Sequence, residues 1–161
     1  MNDDLDGEAK DPVLLLLEEL ELLEKAADIL KYSNDLCMKI GIKEDYTYDE
    51  LDKFESFTGR FARLSDLLIQ KIFRLIESIE LETPGTVRDR INKAEKKGLI
   101  ESADIFIEIR ILRNQIAHEY IQDEIKEMFE KVLLYTPHLL DSVVRVQNHC
   151  RKYQPPDDEE T

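Results

Sequence analysis

The chain reads as an all-α protein, an antiparallel bundle of four principal helices with a shorter accessory helix. Three observations lead there. Apolar residues recur at alternating spacings of three and four over long stretches, the pattern of helices with one buried face. No apolar–polar alternation runs long enough for a useful strand. Breakers are scarce, with 5 glycines and 5 prolines in 161 residues, and several stand where one periodic stretch gives way to the next. A chain of this length buries a core without staples, so one domain is expected.

Residues 1–11 form an acidic lead too polar to pack. Val13, Leu16, Leu20, Leu23, Ala27, Leu30 and Cys37 then keep one helical phase up to a C-cap near Gly41. Thr47 and Glu50 have capping-box spacing, so a second helix starts there. Its stripe is Leu51, Phe54, Phe57, Phe61, Leu64, Leu68, Ile72, Leu75 and Ile79, and Thr83-Pro84-Gly85 forces a turn after it. A short third helix is expected from Thr86 to Lys97, closed by Gly98. Ser102 caps a fourth helix running to about Tyr120, and Asp123 caps a fifth. Within the fifth, Thr136-Pro137 predicts a break or a kink. The helical domain thus spans residues 12–153, followed by a solvated acidic tail over 154–161.

A net charge of −14 argues against nucleic-acid binding that rests mainly on counterion release. Any such contact has to be local, and residues 61–113, with 9 acids and 10 bases, are the only third that is not acidic. Cys37 and Cys150 are isolated, as expected of reduced thiols in a cytosolic protein. The acidic N-terminus and the short apolar run Val13–Leu17 predict neither a signal peptide nor a membrane span. No G-x-G-x-x-G, P-loop, H-E-x-x-H or G-x-S-x-G motif is present, so no cofactor and no metal is expected. His138 and His149 lack an acid or cysteine at useful spacing and read as structural or surface residues.

The residues that invite a functional reading are Arg113-Asn114-Gln115-Ile116-Ala117-His118-Glu119-Tyr120. At about 100° per residue, Ile105, Ile109, Leu112 and Ile116 form the core stripe of their helix, and Asp104, Glu108, Gln115 and Glu119 a solvated sector. Ile107 and Ile111 fall on a third side, beside Asn114 and His118. Two apolar sides require two packing partners, either another helix of the bundle or a second copy of the chain. On a continuous helix Arg113 and Tyr120 stack seven apart, and Asn114 and His118 form an i,i+4 pair. The plainer alternative makes Arg113 a surface ion pair, His118 an ordinary helix-end histidine and Tyr120 a half-buried cap.

This R-N-x-x-x-H-x-Y run resembles the R-x-x-x-x-H-x-Y signature of HEPN-domain proteins, and within them of HepT-type toxins of bacterial toxin–antitoxin pairs. The segment from Phe57 to Leu68, with Arg60, Phe61, Arg63, Leu64 and Asp66, looks like the second helix of that family. The resemblance implies a homodimer in which two motifs face one cleft, and metal-independent cleavage of RNA there. Arg113 would stabilise charge on the phosphate, His118 would move the proton of the ribose 2′-hydroxyl, and Asn114 would support them. The products would be a 2′,3′-cyclic phosphate and a 5′-hydroxyl. It further implies a minimal nucleotidyltransferase antitoxin (MntA-like) that silences the toxin by attaching AMP to Tyr120. Against the acidic background, Arg60, Arg63 and Arg74 on the second helix, and Arg88, Arg90, Lys93, Lys96 and Lys97 on the third, are candidates to receive RNA; for the third helix a solvated face of ordinary ion pairs is the simpler reading. Two other functions stay open: a non-catalytic substrate-binding subunit of a two-component nucleotidyltransferase, and a plain dimeric helical adaptor.

Overall fold

In the computed structural model, which describes residues 10–118 and 125–156, the chain is all-helical. Helix α1 covers Pro12–Ile40, α2 Tyr48–Asp66, α3 Phe73–Ile79, α4 Val87–Lys96, α5 Ala103–Ile116 and α6 Ile125–Cys150, which runs into a short 3-10 turn at Arg151–Tyr153. A π-helical segment, Leu67–Ile72, joins α2 to α3 without a break, so these three together are the second helix expected from the sequence. The helices enclose a continuous apolar core in which Leu16, Leu23, Leu30, Phe54, Phe57, Phe61, Ile69, Ile109, Val132 and Leu139 are fully buried.

Local chemistry accounts for the helix ends. The Asp11 carboxylate accepts from the Val13 amide at 2.9 Å, with Pro12 in the first turn, where its missing N–H costs nothing. Thr47 and Glu50 form the expected capping box at 3.1 and 3.0 Å. A second box, Thr86 with Asp89, starts α4, and the Ser102 hydroxyl caps α5 by accepting from Ile105 at 3.3 Å. Gly41 and Gly98 close α1 and α4 at φ 73° and 77°, a region costly for any side chain. The Asp123 cap lies outside the described residues.

Three expectations need correction. First, the end of the stripe widens: Leu75 and Ile79 are only half-buried against the core, while Phe73 and Ile76 are fully buried beside Ile72. Phe57, Phe61, Ser65, Ile69, Phe73 and Glu77 are all buried and four apart. On an α-helix each four-residue step overshoots by about 40°, and the wider π turn absorbs part of that drift, with the Phe73 amide reaching back to the Leu68 carbonyl. Second, α5 ends at Ile116, not near Tyr120, and its core stripe is Ala103, Phe106, Ile109 and Leu112, with Ile105 and Ile116 half-buried. Third, of the break or kink expected at Thr136-Pro137, the break does not occur, and α6 continues through Pro137. An interior proline costs about 3 kcal/mol, but burying residues such as Val132, Leu139, Val143 and Val146 returns about 1.5–3 kcal/mol each. The Thr136 hydroxyl also donates to the Val132 carbonyl at 2.6 Å.

Candidate functional site

Three helices each turn one face to a cleft of about 940 Å³. From α1 come Glu19, Leu22, Lys25, Ala26 and Ile29, at helical spacings that keep them on one side. The end of α2 and the π segment supply Arg63, Asp66, Leu67, Gln70 and Lys71, and α5 supplies Arg110, Arg113 and Asn114. Five cations and two acids therefore line one concavity of a chain whose net charge is −14.

Asp66 organises the α5 wall. Its two oxygens accept from Arg113 Nε and Nη2, both at 2.7 Å, the bidentate fit of a planar guanidinium to a carboxylate. Arg110 Nη1 stands 3.6 Å from the same carboxylate. With its amide oxygen turned toward Arg110, Gln70 accepts from both terminal nitrogens at 3.2 and 3.1 Å, the orientation that hydrogen bonding selects. Hydrogen bonds to Asp66 raise the Arg113 pKa above its usual value against the opposing effect of burial, so this side chain is a permanent cation. On the opposite wall Glu19 stands 3.9 Å from Lys71 and keeps one buried carboxylate oxygen without a partner. Lys25 and Arg63 are exposed and have no ion-pair partner among the described residues.

Of the four motif residues, the cleft brings together Arg113, which is half-buried, and Asn114, which is exposed. His118 is exposed beyond the last turn of α5, its amide donating to the Gln115 carbonyl at 3.1 Å, and it is not among the residues lining the cleft. Ala117 keeps helical dihedrals, φ −76° and ψ −14°, as the cap that follows the last residue of α5, and His118 lies just outside the helix. Tyr120 lies outside the described residues. The second apolar side of α5 is partly uncovered within the single chain: Ile107 is half-buried and Ile111 is 46% exposed.

Most of the other basic candidates are engaged elsewhere. Arg60 donates to the Ser33 hydroxyl at 2.5 Å. Arg90 stands 3.5 Å from the buried Glu77 carboxylate and donates to the Ile69 carbonyl at 3.3 Å, bracing the π segment. Lys93 donates to the Thr83 carbonyl at 2.5 Å, and Lys97 pairs with Glu82 and, at 3.6 Å, with Glu80. Arg74 borders a separate cleft with Glu77 and Arg90, while Arg88 and Lys96 are exposed. Only Arg63 of the eight lines the cleft beside Arg113. The simpler reading of α4, a face of ion pairs, describes Arg90 and Lys97.

Sequence reasoning passed over Asp66 as a partner, and also Lys25, Gln70, Lys71 and Arg110. The Arg110–Arg113 doublet at i,i+3 and the Arg63–Asp66–Gln70 series on the neighbouring helix were the available signals. His149 also has an acid after all: its Nε2 is 3.0 Å from Glu80 Oε2, which accepts a second hydrogen bond from the Tyr153 hydroxyl at 3.2 Å. Cys37 and Cys150 are buried free thiols, and burial pushes both up to about 11. Among the described residues no group of three or more His, Cys, Asp or Glu is placed to hold a metal, and no helix is long and apolar enough to cross a membrane. No family model matches the chain, and no curated protein matches it.

Proposed function

We propose that the chain is a metal-independent endoribonuclease of the HEPN type, the toxin of a toxin–antitoxin pair, acting as a homodimer of antiparallel helical bundles. The observation that supports this best is the cleft. Arg113 and Asn114 of the motif share the cleft with Arg110, Lys25 and Arg63, so a chain repulsive to RNA in bulk carries one locally cationic concavity.

In this reading the phosphate to be cut lies against Arg113, whose orientation Asp66 sets and whose Nη1 is left unengaged by the clamp. His118 takes the proton of the ribose 2′-hydroxyl, the 2′-oxygen attacks phosphorus, and the bond from phosphorus to the 5′-oxygen breaks. The leaving oxygen collects a proton, giving a 2′,3′-cyclic phosphate and a 5′-hydroxyl. Arg113 offsets the charge that grows on the phosphoryl oxygens. Asn114 orients the imidazole or the phosphate. A second copy covers Ile107 and Ile111 and places its own motif at the same site. Tyr120 takes AMP from a minimal nucleotidyltransferase, which fills the cleft and pairs its cations with a phosphate.

Incubating RNA with the purified chain in EDTA tests the reaction. Cleavage to cyclic-phosphate ends is expected, falling about a hundredfold or more in His118→Ala and Arg113→Ala; unchanged rates in both variants would sink the assignment. Mass spectrometry after co-expression with a minimal nucleotidyltransferase is expected to place AMP on Tyr120. One observation favours a second reading, a non-catalytic subunit of a two-component nucleotidyltransferase: the Arg113 cation is already matched by Asp66. Absence of cleavage by the wild-type chain, with retained binding to the transferase, would select it.

A further inference from the structure

Two cations in the cleft are idle. Arg113 and Arg110 share Asp66, and Lys71 has Glu19, but Lys25 on α1 and Arg63 on α2 face the concavity with no acid against them among the described residues. Neither is needed to hold the fold together, since both are exposed and neither makes a side-chain hydrogen bond among the described residues. On α1 Leu22 and Ile29, 50% and 38% exposed, flank Lys25 and line the same cleft. These apolar side chains beside an unpaired cation suit a ligand that offers anionic and flat apolar groups alternately.

We infer that Lys25 and Arg63 form a flanking-phosphate subsite for single-stranded RNA, holding phosphates next to the one at Arg113 while a base rests on Leu22 and Ile29. Single-stranded nucleic acid has this composition: a phosphate at every nucleotide, and bases free to leave the stack for an apolar surface. A paired helix keeps its bases stacked and offers the shelf nothing. An acidic peptide would satisfy the cations but leave Leu22 and Ile29 uncovered. The subsite rests on the ribonuclease reading for its place beside the scissile phosphate, but it binds whether or not the bond is cut.

The experiment uses the full chain carrying His118→Ala, so that RNA stays intact, and measures anisotropy of a labelled single-stranded oligoribonucleotide in EDTA across a salt titration. Lys25→Ala/Arg63→Ala is expected to weaken binding about tenfold or more and to flatten the slope of log K against log salt by about 1.4, two phosphate contacts at about 0.7 each for a single strand. Lys31→Ala/Lys39→Ala removes the same charge from exposed positions on α1 outside the cleft and is expected to change the slope little. Equal losses in the two double variants, or displacement of RNA by polyglutamate at equal charge concentration, would overturn the subsite. The cleavage assay separates the two proposals. In the chain with His118 intact, the Lys25/Arg63 variant is expected to raise KM and leave kcat unchanged. Wild-type binding without cleavage discards the nuclease and keeps the subsite; cleavage with unchanged KM in the double variant does the reverse.

Discussion

On α4, Arg90 lies 3.5 Å from a buried carboxylate, Lys93 reaches a backbone carbonyl at 2.5 Å, and Lys97 sits between Glu80 and Glu82. On the cleft wall, Lys25 and Arg63 meet no acid among the described residues, and Arg113 and Arg110 share a single one. By sequence the α4 set is the denser basic cluster, yet a solvated face of ion pairs is its simpler reading. The ion pairs of Arg90 and Lys97 agree with that reading, because a cation already paired inside the protein must give up its partner before it can attract a phosphate. What marks a binding surface is unspent charge, and unspent charge is a property of the neighbours.

The largest separation between the two regions is expected in stability. The Arg90 and Glu77 side chains are only 10% and 6% exposed, so Arg90→Ala strands a carboxylate away from water and is expected to cost about 3 kcal/mol. Arg63→Ala, at an exposed position, is expected to stay within about 0.5 kcal/mol. Urea unfolding followed by circular dichroism measures both. Equal midpoints for the two variants would erase the distinction between spent and unspent cations.

A smaller effect sharpens the role of Asp66, the one acid on the α2–α5 side of the cleft. If it holds Arg113 in place for the reaction, Asp66→Asn loses the bidentate clamp, and kcat is expected to fall about tenfold or more, since a misplaced group costs rate before it costs binding. The same change removes a negative charge from the cleft, so KM is expected to hold steady or fall, and Asp66→Glu to recover part of the rate. A higher kcat in Asp66→Asn would recast Asp66 as a shield that competes with the substrate phosphate.

Why the cleft escaped the sequence follows from range. Capping signals act over three or four residues, so Thr47 with Glu50, Ser102, Gly41 and Gly98 could be read off the chain, and with them the helices. The Asp66–Arg113 clamp joins residues 47 apart and the Glu80–His149 contact residues 69 apart; no local pattern encodes either. The π segment is an intermediate case. The four-residue spacing from Phe57 to Glu77 was only partly legible, because Ser65 and Glu77 are polar and only the structure shows them buried. At Pro137 the burial of the residues around it keeps the helix unbroken. The end of α5 at Ile116 matters most for function, since it moves His118 off the helix that carries Arg113.

The smallest expected effect tests a polar cluster unlike the cleft, one that is closed on itself. Burial alone would raise the Glu80 carboxyl, but the hydrogen bond from His149 and the charges of Lys97, His149 and Lys152 outweigh it and hold the group below its ordinary 4.5. Tyr153, also donating to Glu80, is pushed up to about 12, first by burial and then by the Glu80 charge. A depressed carboxyl stabilises the fold above its unfolded value and loses that contribution as pH falls through the folded one; the raised phenol stabilises below 10 and loses its contribution as pH rises toward 12. Glu80→Gln removes the carboxyl effect and the Glu80 part of the phenol's shift, leaving the part due to burial. The variant is therefore expected to be about 1 kcal/mol less stable than wild type at pH 7, with the gap closing as pH drops below about 4.5. Urea midpoints from pH 3.5 to pH 7 measure it. A gap that stays constant across that range would mean that the cluster holds α3 to the end of α6 by packing alone, leaving its charges as unspent as those of Lys25 and Arg63.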